Sequence, residues 1–155
     1  MEENNRFINS KLDLLIINPP FSRLKGVPYN VDFYLNSGYL ASGLRNICDV
    51  KIYNADNPQD GEKEKLTQED SKYLSKRYFN LFESSANYKN ALKSDIHPVW
   101  DEVKRTFLKY QPKIIGVSCM SALYPSALRV AQIYKSCFPE GIVIFGGQHP
   151  TIRAE

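Results

Sequence analysis

Two apolar runs, each followed at once by small residues, limit the folds open to this chain of 155 residues more than any other feature. Ile114–Ser118 continues into Cys119-Met120-Ser121, and Ile142–Phe145 continues into Gly146-Gly147-Gln148-His149-Pro150-Thr151. Short continuous apolar runs are typical of parallel strands that are buried on both faces. Because open α/β sheets bind ligands at the carboxyl ends of such strands, the two junctions predict a cofactor-binding edge.

The first half of the chain also predicts a strand, a helix and a strand. Leu12–Ile17 is an apolar run that Asn18-Pro19-Pro20 closes, because proline has no amide hydrogen for a strand to use. Asp49–Tyr53 is expected to form a short second strand. The helix between them is indicated by apolar residues at helical spacing, which are Leu40, Leu44 and Ile47. Gly38 and Gly43 inside it each cost up to about 1 kcal/mol relative to alanine, so we expect close packing against the sheet or a ligand.

Two further helices are predicted in the second half. One begins at Pro98, which the first helical turn tolerates, and ends at Gln111-Pro112. Its apolar residues recur at helical spacing and are Val99, Val103, Phe107 and Tyr110. The other begins near Pro125, and its apolar face comprises Ala127, Val130, Ala131 and Tyr134.

Residues 54–97 interrupt this rhythm, because they are polar, charged and rich in tyrosine where a short turn and one helix would suffice. We interpret them as a helical insertion after the second strand. Thr67 followed by Asp70 resembles a helix start, and Leu74, Tyr78 and Leu81 fall on one helical face.

The order of elements is therefore strand, helix, strand, insertion, helix, strand, helix, strand. Right-handed crossovers between parallel strands make this a doubly wound, flavodoxin-like (Rossmann-like) α/β sheet in one domain spanning residues 1–155. Such a sheet normally adds a fifth strand and a closing helix. We expect the chain to be truncated after the fourth strand and to belong to a longer protein.

Composition excludes several function classes. Lysine and arginine number 20 against 17 aspartates and glutamates, and they are dispersed, so nucleic-acid binding is not indicated. The three cysteines are an odd number without metal-ligand spacing, so neither a disulfide framework nor a zinc site is indicated. A reducing cytoplasm is the simpler interpretation. The acidic N-terminus is unlike a signal peptide, and no apolar run approaches the roughly 18 residues of a membrane span.

Four segments together carry a resemblance to a known family. They are Ile16-Ile17-Asn18-Pro19-Pro20, Gly38-Tyr39-Leu40-Ala41-Ser42-Gly43-Leu44-Arg45, Pro112-Lys113-Ile114-Ile115-Gly116-Val117-Ser118 and Gly146-Gly147-Gln148-His149-Pro150-Thr151. In this order the chain resembles the N-terminal cobalamin-binding domain of cobalamin-dependent radical S-adenosylmethionine enzymes. The match covers nearly the whole chain except the insertion.

The resemblance implies a corrinoid across the carboxyl edge of the sheet, with its benzimidazole tail buried between strand ends. Ser118, Met120 and Ser121 would border that tail, and Gly146 and Gly147 would lie against it. Glycines allow a flat ring to approach a backbone, and hydroxyls can bond a ring nitrogen without adding charge. The cofactor-binding residues that follow are Asn18, Pro19, Pro20, Ser118, Met120, Ser121, Gly146, Gly147 and His149.

Departures from related carriers refine this expectation. Methyl-transfer and mutase carriers have Asp-x-His-x-x-Gly after the first strand, whereas the loop between Asn18 and Asn30 has neither an aspartate nor a histidine. No histidine ligand to cobalt is therefore expected from that loop, and this favours the radical branch of the family, whose members commonly lack that histidine too. Met120 and Ala122 also differ from common family residues. We expect His97 and His149 to serve in loops or caps rather than as metal ligands, and Cys119 to point into packing.

The resemblance also implies a division of labour. The chain lacks the Cys-x-x-x-Cys-x-x-Cys motif that binds a [4Fe-4S] cluster, so no catalysis is expected from this segment alone. A downstream domain of the same polypeptide would bind S-adenosylmethionine and the cluster, and the whole protein would transfer methyl groups. Tyr73, Tyr78 and Tyr88 of the insertion would cover the corrin, contact that domain, or form the buried face of an ordinary helix.

Two other classes share this topology. A receiver domain needs acidic residues after the first strand and an aspartate after the third, where this chain has Asn18 and Ser118. A nucleotide- or nucleotide-sugar-binding Rossmann-like domain needs a glycine-rich turn after the first strand, where this chain has prolines. Nucleotide binding remains the alternative hypothesis, because helix N-termini near Ser121 and Pro150 could bind a phosphate.

Overall fold

A computed structural model of the chain describes residues 12–26, 35–57 and 81–152. The elements alternate as predicted, with 3-10 turns at Arg23–Lys25 and Ser121–Leu123. In chain order they are β1 (Leu12–Asn18), α1 (Leu35–Leu44), β2 (Val50–Asn54), α2 (Leu81–Lys93), α3 (Pro98–Tyr110), β3 (Pro112–Ser118), α4 (Tyr124–Cys137), β4 (Ile142–Gly146) and α5 (Gln148–Ile152).

The four strands of the described residues form one parallel sheet in the order β2-β1-β3-β4. This confirms the predicted flavodoxin-like α/β class. The register pairs Asn18 with Asn54 and Ser118 with Gly146, so the last residues of all four strands share one edge. That edge is the ligand side of an open parallel sheet.

One face of the sheet is packed against α3 and α4. Side chains alternate along a strand, so Leu15, Ile17, Ile115 and Val117 all point to this face, and each is at most 1% exposed. The helices supply the other half of this core through the apolar residues that periodicity predicted, which are Val99, Val103, Phe107, Ala127, Val130 and Tyr134. Both helix predictions are thus confirmed.

The ends of α3 follow from local chemistry. His97 caps its N-terminus by accepting a hydrogen bond from the Val99 amide at 3.3 Å, and Pro98 occupies the first turn. Gln111 ends the helix in the left-handed region at φ 45°. The predicted stop at Gln111-Pro112 is confirmed, and β3 begins at once.

The opposite face of the sheet, which we call the open face, consists of Ile16, Ile52, Gly116, Ile142 and Ile144. Ile52, Ile142 and Ile144 remain 39%, 49% and 52% exposed. Apolar surface is therefore accessible beside the carboxyl edge.

Helix α1 differs from expectation in how it packs. Leu40 is 60% exposed, and Ile47 lies beyond the end of the helix and is 78% exposed. A Cβ at Gly43 would meet nothing within 4 Å, so the close packing expected there is not found. Ser37 is the buried residue of this helix instead. Periodicity predicted the helix, but it could not reveal that a polar residue anchors it.

The insertion is helical where it is described. Residues 58–80 lie outside the described residues, and with them the predicted helix start at Thr67 and the predicted tyrosines Tyr73 and Tyr78. Helix α2 packs onto the body of the domain, where the Trp100 indole N–H donates to the Ala91 carbonyl at 2.9 Å.

Candidate functional site

Asn18 ends β1 at the carboxyl edge and is 2% exposed. Its Oδ1 accepts a hydrogen bond from the Ser37 hydroxyl at 3.3 Å, which ties α1 to the end of the strand. Its Nδ2 is buried and has no hydrogen-bond partner among the described residues. A buried amide donor without an acceptor is unfavourable and rare, and it marks a place where a ligand acceptor would be stabilised.

Pro19 and Pro20 are both fully buried, directly after Asn18. They end the strand, because neither can donate to a continuing ladder. Because they are buried, they form a wall beside the carboxyl edge and do not present an exposed surface to a ligand.

Ser118 and Gly146 lie side by side at the ends of β3 and β4. Ser118 is half-buried and Gly146 is exposed. A Cβ built on Gly146 would meet no atom of the described residues within 4 Å. Within that part of the chain, the space beside the Ser118 hydroxyl is therefore open.

Gly147 has a different reason to be glycine. Its φ is +108°, and a Cβ there would approach the Cys119 carbonyl oxygen to 2.8 Å. The same stretch is fixed by hydrogen bonds from the Cys119 amide to the Gly146 carbonyl at 2.7 Å and from the His149 amide to the Cys119 carbonyl at 3.1 Å. The chain's own backbone thus accounts for the absence of a side chain at this position.

His149 joins the two loops that follow β3 and β4. Its Nδ1 lies 3.1 Å from the Ser121 hydroxyl, and its ring lies 4.4 Å from the ring of Tyr124. Met120, at 46% exposure, stands beside this cluster. Tyr124 was not predicted to belong to the site. Nothing in the sequence around it indicates a contact with His149, which is distant along the chain.

The other titratable groups near the edge have structural environments. Cys119 is 1% exposed, and burial raises the pKa of its thiol, as expected for a side chain that points into packing. Burial, and then the charge of Arg23, lowers the pKa of His97, whose imidazole is used as a helix cap. The prediction that His97 serves as a cap is confirmed.

The loop after β1 is held by a buried charge network that sequence reasoning missed. Arg23 donates from Nη1 and Nη2 to the two carboxylate oxygens of Glu102, at 3.1 and 2.9 Å. The Tyr53 hydroxyl donates to the same carboxylate at 2.9 Å. Burial, and then the charge of Glu102, raises the pKa of Tyr53. These residues come from distant parts of the chain, so no local pattern connects them.

Tyr88 of α2 joins two of the edge loops. Its ring meets the Phe21 ring edge-on at 5.3 Å, and its hydroxyl donates to the Ala122 carbonyl at 3.4 Å. Burial raises the pKa of its phenol. Helix α2 therefore covers the edge on the side of α3 and α4, and the described part of the open face keeps exposed apolar surface.

Neither a membrane-spanning helix nor a cluster of metal ligands is found among the described residues. None of the helices in the described ranges is long and apolar enough to cross a membrane. Within residues 12–26, 35–57 and 81–152, no group of three or more histidine, cysteine, aspartate or glutamate side chains could hold a metal ion. No family model, curated protein or solved structure matches the chain.

Proposed function

We propose that this domain binds cobalamin at the carboxyl edge of its sheet, as the cofactor domain of a larger radical S-adenosylmethionine enzyme. The observation that carries the proposal is the buried Nδ2 of Asn18, a donor for which residues 12–26, 35–57 and 81–152 provide no acceptor, at the edge where open α/β sheets bind ligands. An acceptor oxygen or nitrogen of the corrinoid would receive this hydrogen bond.

The shape and chemistry of the edge fit such a ligand on one side. Gly146 leaves open space beside the Ser118 hydroxyl, and the apolar open face, including Ile144, continues from there. A flat, largely apolar aromatic tail would be stabilised by that surface, and a hydroxyl can bond its ring nitrogen. Met120 and His149 would border the corrinoid. Gly147 has no part in this proposal, because the Cys119 backbone occupies the space beside it.

The residues of this chain would bind and orient the group and exclude water from it. When bound, a corrinoid supplies methyl-group carriage, and the protein supplies position. S-adenosylmethionine and a [4Fe-4S] cluster would be held by a downstream domain of the same polypeptide, so this domain alone would be inactive. We also propose a cytoplasmic location, which the three free cysteines support.

A spectroscopic titration tests the proposal. Purified protein is mixed with hydroxocobalamin and desalted, and we expect a bound corrinoid spectrum. Asn18→Leu removes the donor without adding a charge, so we expect the Kd to rise about tenfold, the usual worth of a buried hydrogen bond. Ser37→Ala removes only the hydrogen bond that Asn18 Oδ1 accepts and should raise the Kd less. Gly146→Val should weaken retention because its side chain would enter the open space.

The matched control is Lys113→Met. It removes a salt bridge to Asp13 at the opposite end of the sheet and should leave retention unchanged. If neither the domain nor the full-length polypeptide retains the corrinoid, cobalamin binding is wrong. If uridine diphosphate glucose or adenosine triphosphate binds instead, the nucleotide alternative is correct. Two buried prolines after β1, where nucleotide-binding turns are rich in glycine, disfavour that outcome.

A further inference from the structure

We propose that Arg23 and Glu102 are positioning residues for the ligand edge, which hold the loop of residues 19–26 in one conformation. The inference rests on the proposed function, because the loop leads directly from Asn18. Neither residue is among the cofactor-binding residues of that proposal. Their effect would pass through the main chain of the loop.

Two parallel hydrogen bonds fix the orientation of the Arg23 and Glu102 side chains relative to each other. The Arg23 guanidinium binds both carboxylate oxygens of Glu102, and its Nη1 also donates to the Ala55 carbonyl at 2.9 Å. The side chains are only 17% and 9% exposed. A planar fork facing a carboxylate in a buried site accepts few alternative arrangements.

A second carboxylate holds the main chain of the same loop. Asp56 is 5% exposed, and its Oδ1 accepts hydrogen bonds from the Phe21 amide at 2.7 Å and the Arg23 amide at 3.2 Å. Ala55 and Asp56 directly follow β2, the strand next to β1. The loop after β1 is therefore fixed from the neighbouring strand and from α3 together.

Stability alone does not explain a buried ion pair here. Removing two charges from water is unfavourable, and well-packed apolar residues of similar volume often stabilise a fold equally well. What an ion pair adds is a single geometry, since a displaced loop would leave Glu102 buried without its partner. A fixed loop keeps Asn18 and the buried prolines in place before a ligand arrives, which reduces the ordering cost of binding.

The test compares Arg23→Lys and Glu102→Gln with Val103→Ala. The first two disturb the pair while keeping similar side-chain volumes, and the third destabilises the neighbouring core of α3 while keeping both side chains of the pair. Two measurements are made on each protein: the Kd for hydroxocobalamin, and hydrogen exchange of the Phe21 and Arg23 amides relative to amides of β1 and β3.

We expect Arg23→Lys and Glu102→Gln to raise the Kd and the relative exchange of the loop amides by about tenfold, because a charge-assisted hydrogen bond is typically worth that much or more. Val103→Ala should change neither relative exchange nor Kd. Unchanged loop exchange in the first two variants would overturn the positioning role, and so would faster exchange with an unchanged Kd. If the wild type retains no corrinoid, the proposed function fails, and the exchange data alone decide whether the pair fixes the loop.

Discussion

The α-carbon of Gly147 lies against the main chain of Cys119, where a Cβ would come within 2.8 Å of the carbonyl oxygen. Gly147→Ala should therefore destabilise the fold by about 1–3 kcal/mol, since the backbone at φ +108° is also unfavourable for alanine. Gly146→Ala is the matched control, because its Cβ would enter open space. Urea unfolding followed by the fluorescence of Trp100, the only tryptophan, measures both. Equal midpoints for the two variants would contradict this account.

His97 should make stability depend on pH. Its pKa is lowered by burial and by Arg23, so the folded state favours the neutral imidazole that caps α3. Stability is therefore fully present above the ordinary histidine pKa of about 6.5 and is lost as the pH falls below it. His97→Asn keeps a capping side chain without titrating, so it should lose less stability than the wild type between about pH 7.5 and pH 5.

His97→Ala measures how much the capping side chain contributes to the free energy of unfolding. We expect it to lose about 1 kcal/mol at neutral pH, the usual worth of an N-cap side chain. Urea titrations at the two pH values measure all three proteins, and His149 is common to them. A wild type and a His97→Asn variant with the same pH dependence would exclude His97 as the source.

Tyr134 should stabilise the fold through its hydroxyl. That group lies 2.8 Å from the carbonyls of both Pro112 and Lys113, and burial raises its pKa to about 12. Tyr134→Phe should cost about 1–2 kcal/mol at neutral pH, as expected for a lost buried hydrogen bond. Because the folded pKa is raised, this contribution is present below about pH 10 and lost as the pH rises toward 12. The gap between variant and wild type should narrow there, and a constant gap would show that the phenol does not titrate as stated.

Tyr88 should matter through its ring more than its hydroxyl. Its bond to the Ala122 carbonyl is long, at 3.4 Å, whereas its ring packs on Phe21. We expect Tyr88→Phe to stay within about 0.5 kcal/mol of the wild type. Tyr88→Ala should lose about 1–2 kcal/mol, because it removes a half-buried aromatic contact between α2 and the loop after β1. Thermal unfolding compares them, and equal losses in both variants would place the stabilisation in the hydroxyl instead.

The strands with continuous apolar runs were predictable from sequence, but burial on both faces was wrong for β4, because Ile142 and Ile144 are 49% and 52% exposed. Ile114–Ser118 had to be buried as a strand, and the structure extends it only by two residues to Pro112. The predicted apolar face of α4 was also correct, because four apolar residues at helical spacing form one face that is stabilised by burial. The prediction that the apolar residues of α1 pack against the sheet was wrong for Leu40 and Ile47. Helical spacing locates an apolar stripe, but it does not show whether anything covers that stripe.

The candidate edge was predictable in part for a related reason. Parallel strands carry their carboxyl ends to one side, so Asn18, Ser118 and Gly146 had to share an edge once the strands were identified. The pair of Arg23 and Glu102 was not predictable, because 79 positions separate the two residues. Only packing of α3 beside the loop brings their charges together.

The sequence by itself determined the alternation of strands and helices and the edge at which their polar ends collect, because hydrophobic periodicity and proline act locally. Tertiary structure alone decided that Gly146 faces open space while Gly147 faces the Cys119 backbone. It also decided that the Asn18 amide is buried with a donor that no described residue uses. The physical reason is that burial and hydrogen-bond partners depend on groups brought together from distant positions, which no local pattern records.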